Sequence, residues 1–145
     1  MKLPSKRILK FVRNHHVLTL ATSVDDSIWC ASCFYAFDEK RMCFIFTSDI
    51  QTKHAEQANN NSNVAGNIHL ETKIIGKIRG IQFSGRTEIA KGDVLKYAKK
   101  KYLIRFPFAI LAKTAIWILY IDYIKMTDNS LSFGKKLKWS RSDEY

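Results

Sequence analysis

The chain has 145 residues, 46% of them hydrophobic and 12% aromatic. That is enough apolar surface for one packed domain over residues 1–145 and too much for a disordered chain. Lysine and arginine number 24 against 13 acidic residues, a formal charge of +11, which suits nucleic acid, a membrane surface or a small anionic ligand. No apolar run reaches bilayer length, and no signal-peptide apolar block follows the basic start Met1-Lys2-Leu3-Pro4-Ser5-Lys6-Arg7, so a membrane span is not expected and a cytoplasmic location is.

The first element is a predicted helix over Pro4–Asn14, with Pro4 suited to a first helical position and Ile8, Leu9, Phe11 and Val12 forming an apolar stripe between basic residues. A strand follows over His16–Ser23, a turn at Asp25-Asp26-Ser27, and a long aromatic strand over Ile28–Phe37. Asp38-Glu39-Lys40-Arg41 turns the chain back into Met42-Cys43-Phe44-Ile45-Phe46, a continuous apolar run that predicts a strand buried on both faces. Strands joined by turns this short form an antiparallel meander rather than crossover units.

Thr47 to Gln51 is a hydroxyl-rich turn, and a helix can begin at Thr52 with Lys53 and His54 in its first turn. A strand that empties through Ser and Thr into a helix start gathers unpaired backbone N–H groups and the positive end of a helix dipole. Thr47, Ser48, Thr52 and Lys53 lie beside that point, making a seat for a phosphate; an ordinary capped helix start with a solvated lysine is the competing reading.

Beyond an Asn-rich loop at 59–63, Val64–Leu70 predicts a fourth strand, and Ile74–Ala90 a long fifth strand bent at Gly76, Gly80 and Gly85. Asp93 then caps a basic helix through Ile104, Arg105-Phe106-Pro107 breaks it, and a short helical turn can follow to Lys113. Ala115–Thr127 is a further long strand, Asp128-Asn129 a turn and Leu131–Trp139 a final basic strand. This pattern is mainly β and predicts a small closed antiparallel barrel with flanking helices. Cys30 and Cys33 have the spacing of a redox or zinc pair, but on a strand they point to opposite faces, and no second pair or matched histidines follow; no metal site is expected.

Five motifs fall in one order: His15-His16-Val17-Leu18-Thr19-Leu20-Ala21-Thr22, Trp29 to Asp38, Phe46-Thr47-Ser48 with Thr52-Lys53-His54, Asn63-Val64-Ala65-Gly66, and Ile81-Gln82-Phe83-Ser84-Gly85. Together they resemble the pyridoxamine 5′-phosphate oxidase-like FMN-binding split barrel, in a small bacterial branch of that family. The resemblance covers nearly the whole chain and implies a six-stranded antiparallel split barrel. It also implies a homodimer with FMN at the subunit interface, in a flavoprotein that is an oxidoreductase of open substrate. It puts the flavin phosphate on Thr47, Ser48, Thr52 and Lys53, the ring against Cys33, Phe34 and Tyr35, and Gln82 facing the flavin. Where vitamin B6 oxidases of the family carry an arginine on the second strand this chain has Ser32, Cys33 and Phe34, and its C-terminal segment offers Lys135, Lys136, Lys138 and Trp139 in place of arginine. The resemblance therefore does not extend to vitamin B6 oxidation. His15 and His16 raise a haem-binding relative, against the commoner exposed histidine at a helix–strand junction. No residue pair is obliged to be catalytic; His54 and Tyr35 are candidates by type alone. Two alternatives stand beside the flavoprotein: a cofactor-free structural dimer, and a basic barrel binding single-stranded nucleic acid through Lys99-Lys100-Lys101 and Lys135, Lys136 and Lys138.

Overall fold

The computed structural model describes residues 2–111 and 113–142. Its α-helices are α1 (Lys6–Asn14), α2 (Lys53–Asn60) and α3 (Gly92–Arg105). Its strands are β1 (Val17–Val24), β2 (Ser27–Asp38), β3 (Cys43–Ser48), β4 (Asn63–His69), β5 (Arg79–Ile89), β6 (Ala115–Asp128) and β7 (Lys136–Ser140). All strand pairings are antiparallel, in the order β3-β2-β1-β4-β5-β6-β7, and β3 also pairs with β6. That extra pairing closes β1 to β6 into a six-stranded barrel and leaves β7 as an added strand on β6. No helix among the described residues is long and apolar enough to cross a membrane.

Alternation along each strand separates an inside from an outside. Leu18 and Leu20, Tyr35, Phe44 and Phe46, Ile81 and Phe83, and Trp117 and Leu119 fill one core cluster inside the barrel. Each such side chain contributes about 2 kcal/mol on full burial. α1 joins this cluster through Ile8, Leu9, Phe11 and Val12, and Arg7 pairs at 3.0 Å with the fully buried Asp128 at the end of β6. α2 enters from the opposite end, where the β1–β2 hairpin turns through Asp25 and Asp26, both with positive φ, the backbone a tight right-twisting hairpin requires. α3 lies outside, and its Ala98 and Tyr102 bury Ala36, Cys43, Ile45, Ile116 and Ile118. This explains why Met42–Phe46 reads as apolar throughout: Phe44 and Phe46 face the barrel core, while Cys43 and Ile45 face α3.

The structure moves several expected boundaries. Pro4 precedes α1 rather than opening it; Ser5 is the cap, its hydroxyl accepting from the Ile8 amide at 3.4 Å. The fifth strand starts at Arg79, because Ile75–Lys77 forms a 3-10 turn and Leu70 closes the β4–β5 connection by donating to the Arg79 carbonyl at 2.9 Å. Gly76 therefore bends no strand. Gly66 and Gly85 do admit close approach: a Cβ there would stand 2.2 Å from the Thr19 carbonyl and 2.1 Å from the Tyr120 carbonyl. α3 begins at Gly92 with Lys91 as its cap residue, and Asp93 sits in its first turn, paired with Lys96 at 3.7 Å. The last strand starts at Lys136, because residues 129–134 form a turn in which the Asn129 side chain accepts from the Gly134 amide. The expected helical turn to Lys113 is a 3-10 helix over Pro107–Leu111, and its continuation at residue 112 lies outside the described residues.

Candidate functional site

β3 ends in two side chains of opposite fate. Phe44, Phe46 and Ser48 share one parity and Thr47 the other. Ser48 is buried at the barrel end covered by α2, and its carbonyl accepts the Trp117 indole N–H at 3.4 Å. The chain then turns through Asp49, whose carboxylate accepts the Gln51 amide at 2.9 Å. Thr52 caps α2 with extended backbone: its hydroxyl donates to the Asp49 carbonyl at 2.7 Å and accepts from the Ala55 amide at 3.4 Å.

His54 lies in the first turn of α2 and faces back toward the strand end. Its Nε2 meets the Ser48 hydroxyl at 2.5 Å and the Thr52 hydroxyl at 3.3 Å, while those two hydroxyls stand 3.4 Å apart. Burial lowers the imidazole pKa from the ordinary 6.5, so the ring is neutral at pH 7 and takes part as a dipole. Lys53, one residue earlier, is exposed and holds its ammonium 4.4 Å over the Trp29 ring centroid, a cation–π contact. The group is fixed to the barrel by Gln57, which is buried, accepts the Thr22 hydroxyl proton at 2.7 Å and donates to the Ser27 carbonyl at 3.1 Å. The helix start thus joins two hydroxyls and a neutral imidazole, with the Lys53 ammonium on the same first turn held over Trp29. Two acidic side chains lie nearby, Asp49 in the turn before α2 and Glu56 in its first turn, both exposed.

The other expected site residues are distributed differently. Thr47 turns away from this group toward α3, its hydroxyl donating to the Tyr102 hydroxyl at 3.4 Å. Cys33 and Tyr35 face the barrel core at 7% and 0% exposure. The Cys33 thiol is pushed up to about 11 by burial, and the Tyr35 hydroxyl donates to the Val12 carbonyl at 2.7 Å. Their side chains offer nothing to a ligand outside the barrel. Phe34, between them, points out, 58% exposed, with the Phe106 ring 5.6 Å away. Gln82 is also exposed on the outer face, in the register row Ser32–Thr19–Asn67–Gln82 across β2, β1, β4 and β5. Three inter-strand steps separate it from Ser32, about 14 Å. One chain therefore presents the Ser48–Thr52–Lys53 group at a barrel end, and Phe34 and Gln82 at separate places on the outer face. The outer face that carries Gln82 also exposes Val17, Ile28 and Phe34.

His15 is held at the end of α1, its Nδ1 within 2.8 Å of the Phe11 carbonyl and its ring 4.0 Å from the Phe11 ring centroid. Cys30 is exposed on the outer side of β2 while Cys33 is buried inside, the divergence that strand spacing implies. Sequence reasoning gave no binding role to His54, Gln57 or Trp29. The available signal was local: a residue two past an N-cap lies in the helix's first turn, within reach of the strand end that feeds it.

No protein-family model matches the chain. A UPF0306 protein of Photorhabdus laumondii, plu4501, is 43% identical over 134 residues, 92% of this chain and 94% of that protein. A UPF0306 protein of Yersinia pestis bv. Antiqua is 42% identical over 134 residues, covering 92% and 91%. Among solved structures, a heme binding protein from Mycobacterium smegmatis superposes with a TM-score of 0.77 at 15% identity over 97% of this chain, which spans 60% of that protein's length. A FAD-binding protein from Mesorhizobium loti gives 0.69 at 14% identity, covering 86% and 95%. A Listeria innocua protein named for pyridoxamine 5′-phosphate oxidase gives 0.67 at 12%, covering 83% and 94%. At these identities the likeness is one of fold, the pyridoxamine 5′-phosphate oxidase-like split barrel.

Proposed function

The chain belongs to the UPF0306 family, and from that premise and its split-barrel fold we propose that it is an FMN-binding flavoprotein, a homodimer that acts as an oxidoreductase. The observation that carries the reading is the group at the start of α2, where Ser48, Thr52 and His54 meet and Lys53 stands beside them. Its chemistry fits a phosphate: the Ser48 hydroxyl, an ammonium and the positive end of a helix dipole, the Thr52 proton being held by the Asp49 carbonyl. Phe34 offers an exposed aromatic surface on the adjoining strand. When bound, FMN supplies hydride or electron chemistry; this chain's residues hold the phosphate, place the ring and shape the surroundings.

The homodimer is part of the same proposal, supported by the exposed Val17, Ile28 and Phe34, which offer an apolar contact surface to a second copy. The test is an FMN titration of the purified full chain. Quenched flavin fluorescence and a raised melting temperature at saturation are expected. If neither changes at saturating FMN, the cofactor-free reading replaces this one.

A further inference from the structure

On the other side of β3 from Ser48, a cavity of about 300 Å³ opens between α3 and the sheet, lined in part by Thr47, Leu95, Lys99, Tyr102, Thr114 and Ile116. Three of these carry hydroxyls and one an ammonium, and no carboxylate lines the cavity among the described residues. The Thr114 hydroxyl is buried and has no hydrogen-bond partner among the described residues, an exception that buried polar groups rarely show, because stranding a donor costs free energy. Tyr102 is 4% exposed, and its oxygen already accepts from Thr47, so its own O–H is left to donate. Lys99 lies on an exposed position of α3 and brings three more N–H donors.

Lys99, Tyr102 and Thr114 can each donate, the charge is positive, and the remaining wall is mostly apolar. We propose that this cavity binds a small monocarboxylic acid with an apolar body. The carboxylate takes the Lys99 ammonium and the Tyr102 and Thr114 hydroxyls, and the body packs on Leu95 and Ile116. An uncharged ligand of the same shape leaves Lys99 unpaired, and a dianion brings a charge the single ammonium does not match. The inference stands apart from the flavin reading, because none of its donors belongs to the Ser48–Thr52–His54 group.

The test uses the full chain with benzoate and its neutral counterpart benzamide, followed by calorimetric titration and by melting temperature. Benzoate is expected to bind saturably and at least about tenfold more tightly than benzamide. Lys99→Gln, at an exposed position, should weaken benzoate about tenfold and leave benzamide unchanged, the signature of a charge-assisted contact. Thr114→Val removes a hydroxyl that has no partner in the free protein, so it should not lower the melting temperature, yet should weaken benzoate about fivefold. No saturable benzoate binding at millimolar concentration overturns the proposal, as does a benzoate affinity that Lys99→Gln leaves unaltered.

Discussion

Replacing Lys53 by alanine separates a phosphate seat from an ordinary capped helix start. In the free protein the ammonium rests 4.4 Å above the Trp29 ring, a contact worth about 0.5–1 kcal/mol at an exposed site. A charge-assisted bond to a phosphate oxygen is worth about 1.5–3 kcal/mol. If the ammonium leaves the indole to make that bond, the net gain is about 0.5–2.5 kcal/mol, or roughly two- to seventyfold in FMN affinity; if it keeps both contacts, the effect approaches a hundredfold. Lys53→Ala should weaken FMN within that range and leave riboflavin, which lacks the phosphate, within about twofold of wild type. Fluorescence-quenching titrations of both flavins against both proteins, with melting curves as a folding control, measure this. An FMN affinity that does not move refutes the phosphate assignment, and so does an equal loss of both flavins in a variant that melts like wild type.

Other substitutions test the frame around the seat. Gly85→Ala would place a Cβ 2.1 Å from the Tyr120 carbonyl and should cost about 3 kcal/mol in urea unfolding; Gly76→Ala meets nothing within 4 Å and should change stability by less than about 0.5 kcal/mol. Burial acting alone would raise the Asp128 carboxyl, but the Ser130 hydroxyl and amide and the Arg7 guanidinium outweigh it and hold the pKa below 3.8. Its contribution is therefore present above that value and lost as pH falls through the lowered one; Asp128→Asn should cost about 2 kcal/mol at neutral pH and remove this acid dependence. His54 titrates below 6.5 in the folded chain, so just below pH 6.5 the unfolded chain binds the extra proton and stability falls on acidification; His54→Gln should flatten that slope in denaturant melts followed across pH. Phe34→Lys, on the exposed face of β2, should shift sedimentation toward the monomer; an unaltered dimer would place the interface elsewhere.

The barrel was legible because its signals are local and consistent. The β1–β2 and β2–β3 turns are written in Asp25-Asp26 and in Asp38 to Arg41, and the Met42–Phe46 run marks a strand covered on both sides. The errors fall where a short-range pattern competes with a tertiary contact. Ile74, Ile75 and Ile78 read as strand by β propensity, yet they are exposed beside a 3-10 turn, since propensity reports fit to a pleated, half-buried surface that no neighbouring strand supplies there. Pro4 fits a first helical turn, but Ser5 offers a hydroxyl to the Ile8 amide, and a side-chain cap decides the start more strongly than a permissive φ.

The site was half legible for a related reason. Thr52 as cap and Lys53 beside it follow from helix-terminus physics and need only the local sequence. Which way Thr47 and Ser48 point depends on strand parity relative to the barrel core, and consecutive residues must part: Ser48 goes to His54, Thr47 to Tyr102. The same parity takes Cys33 and Tyr35 inward and leaves Phe34 outside, so a stretch read as a ring platform supplies a single outward side chain. Gln82 lies three strands from Ser32, a separation that sequence order hides and only sheet register reveals. If the flavin sits at the subunit interface, dimer and flavin should fail together: Val17→Lys, at an exposed outer-face position given no contact with the flavin, should shift sedimentation toward the monomer and lower FMN affinity with the Ser48–Thr52–His54 group intact.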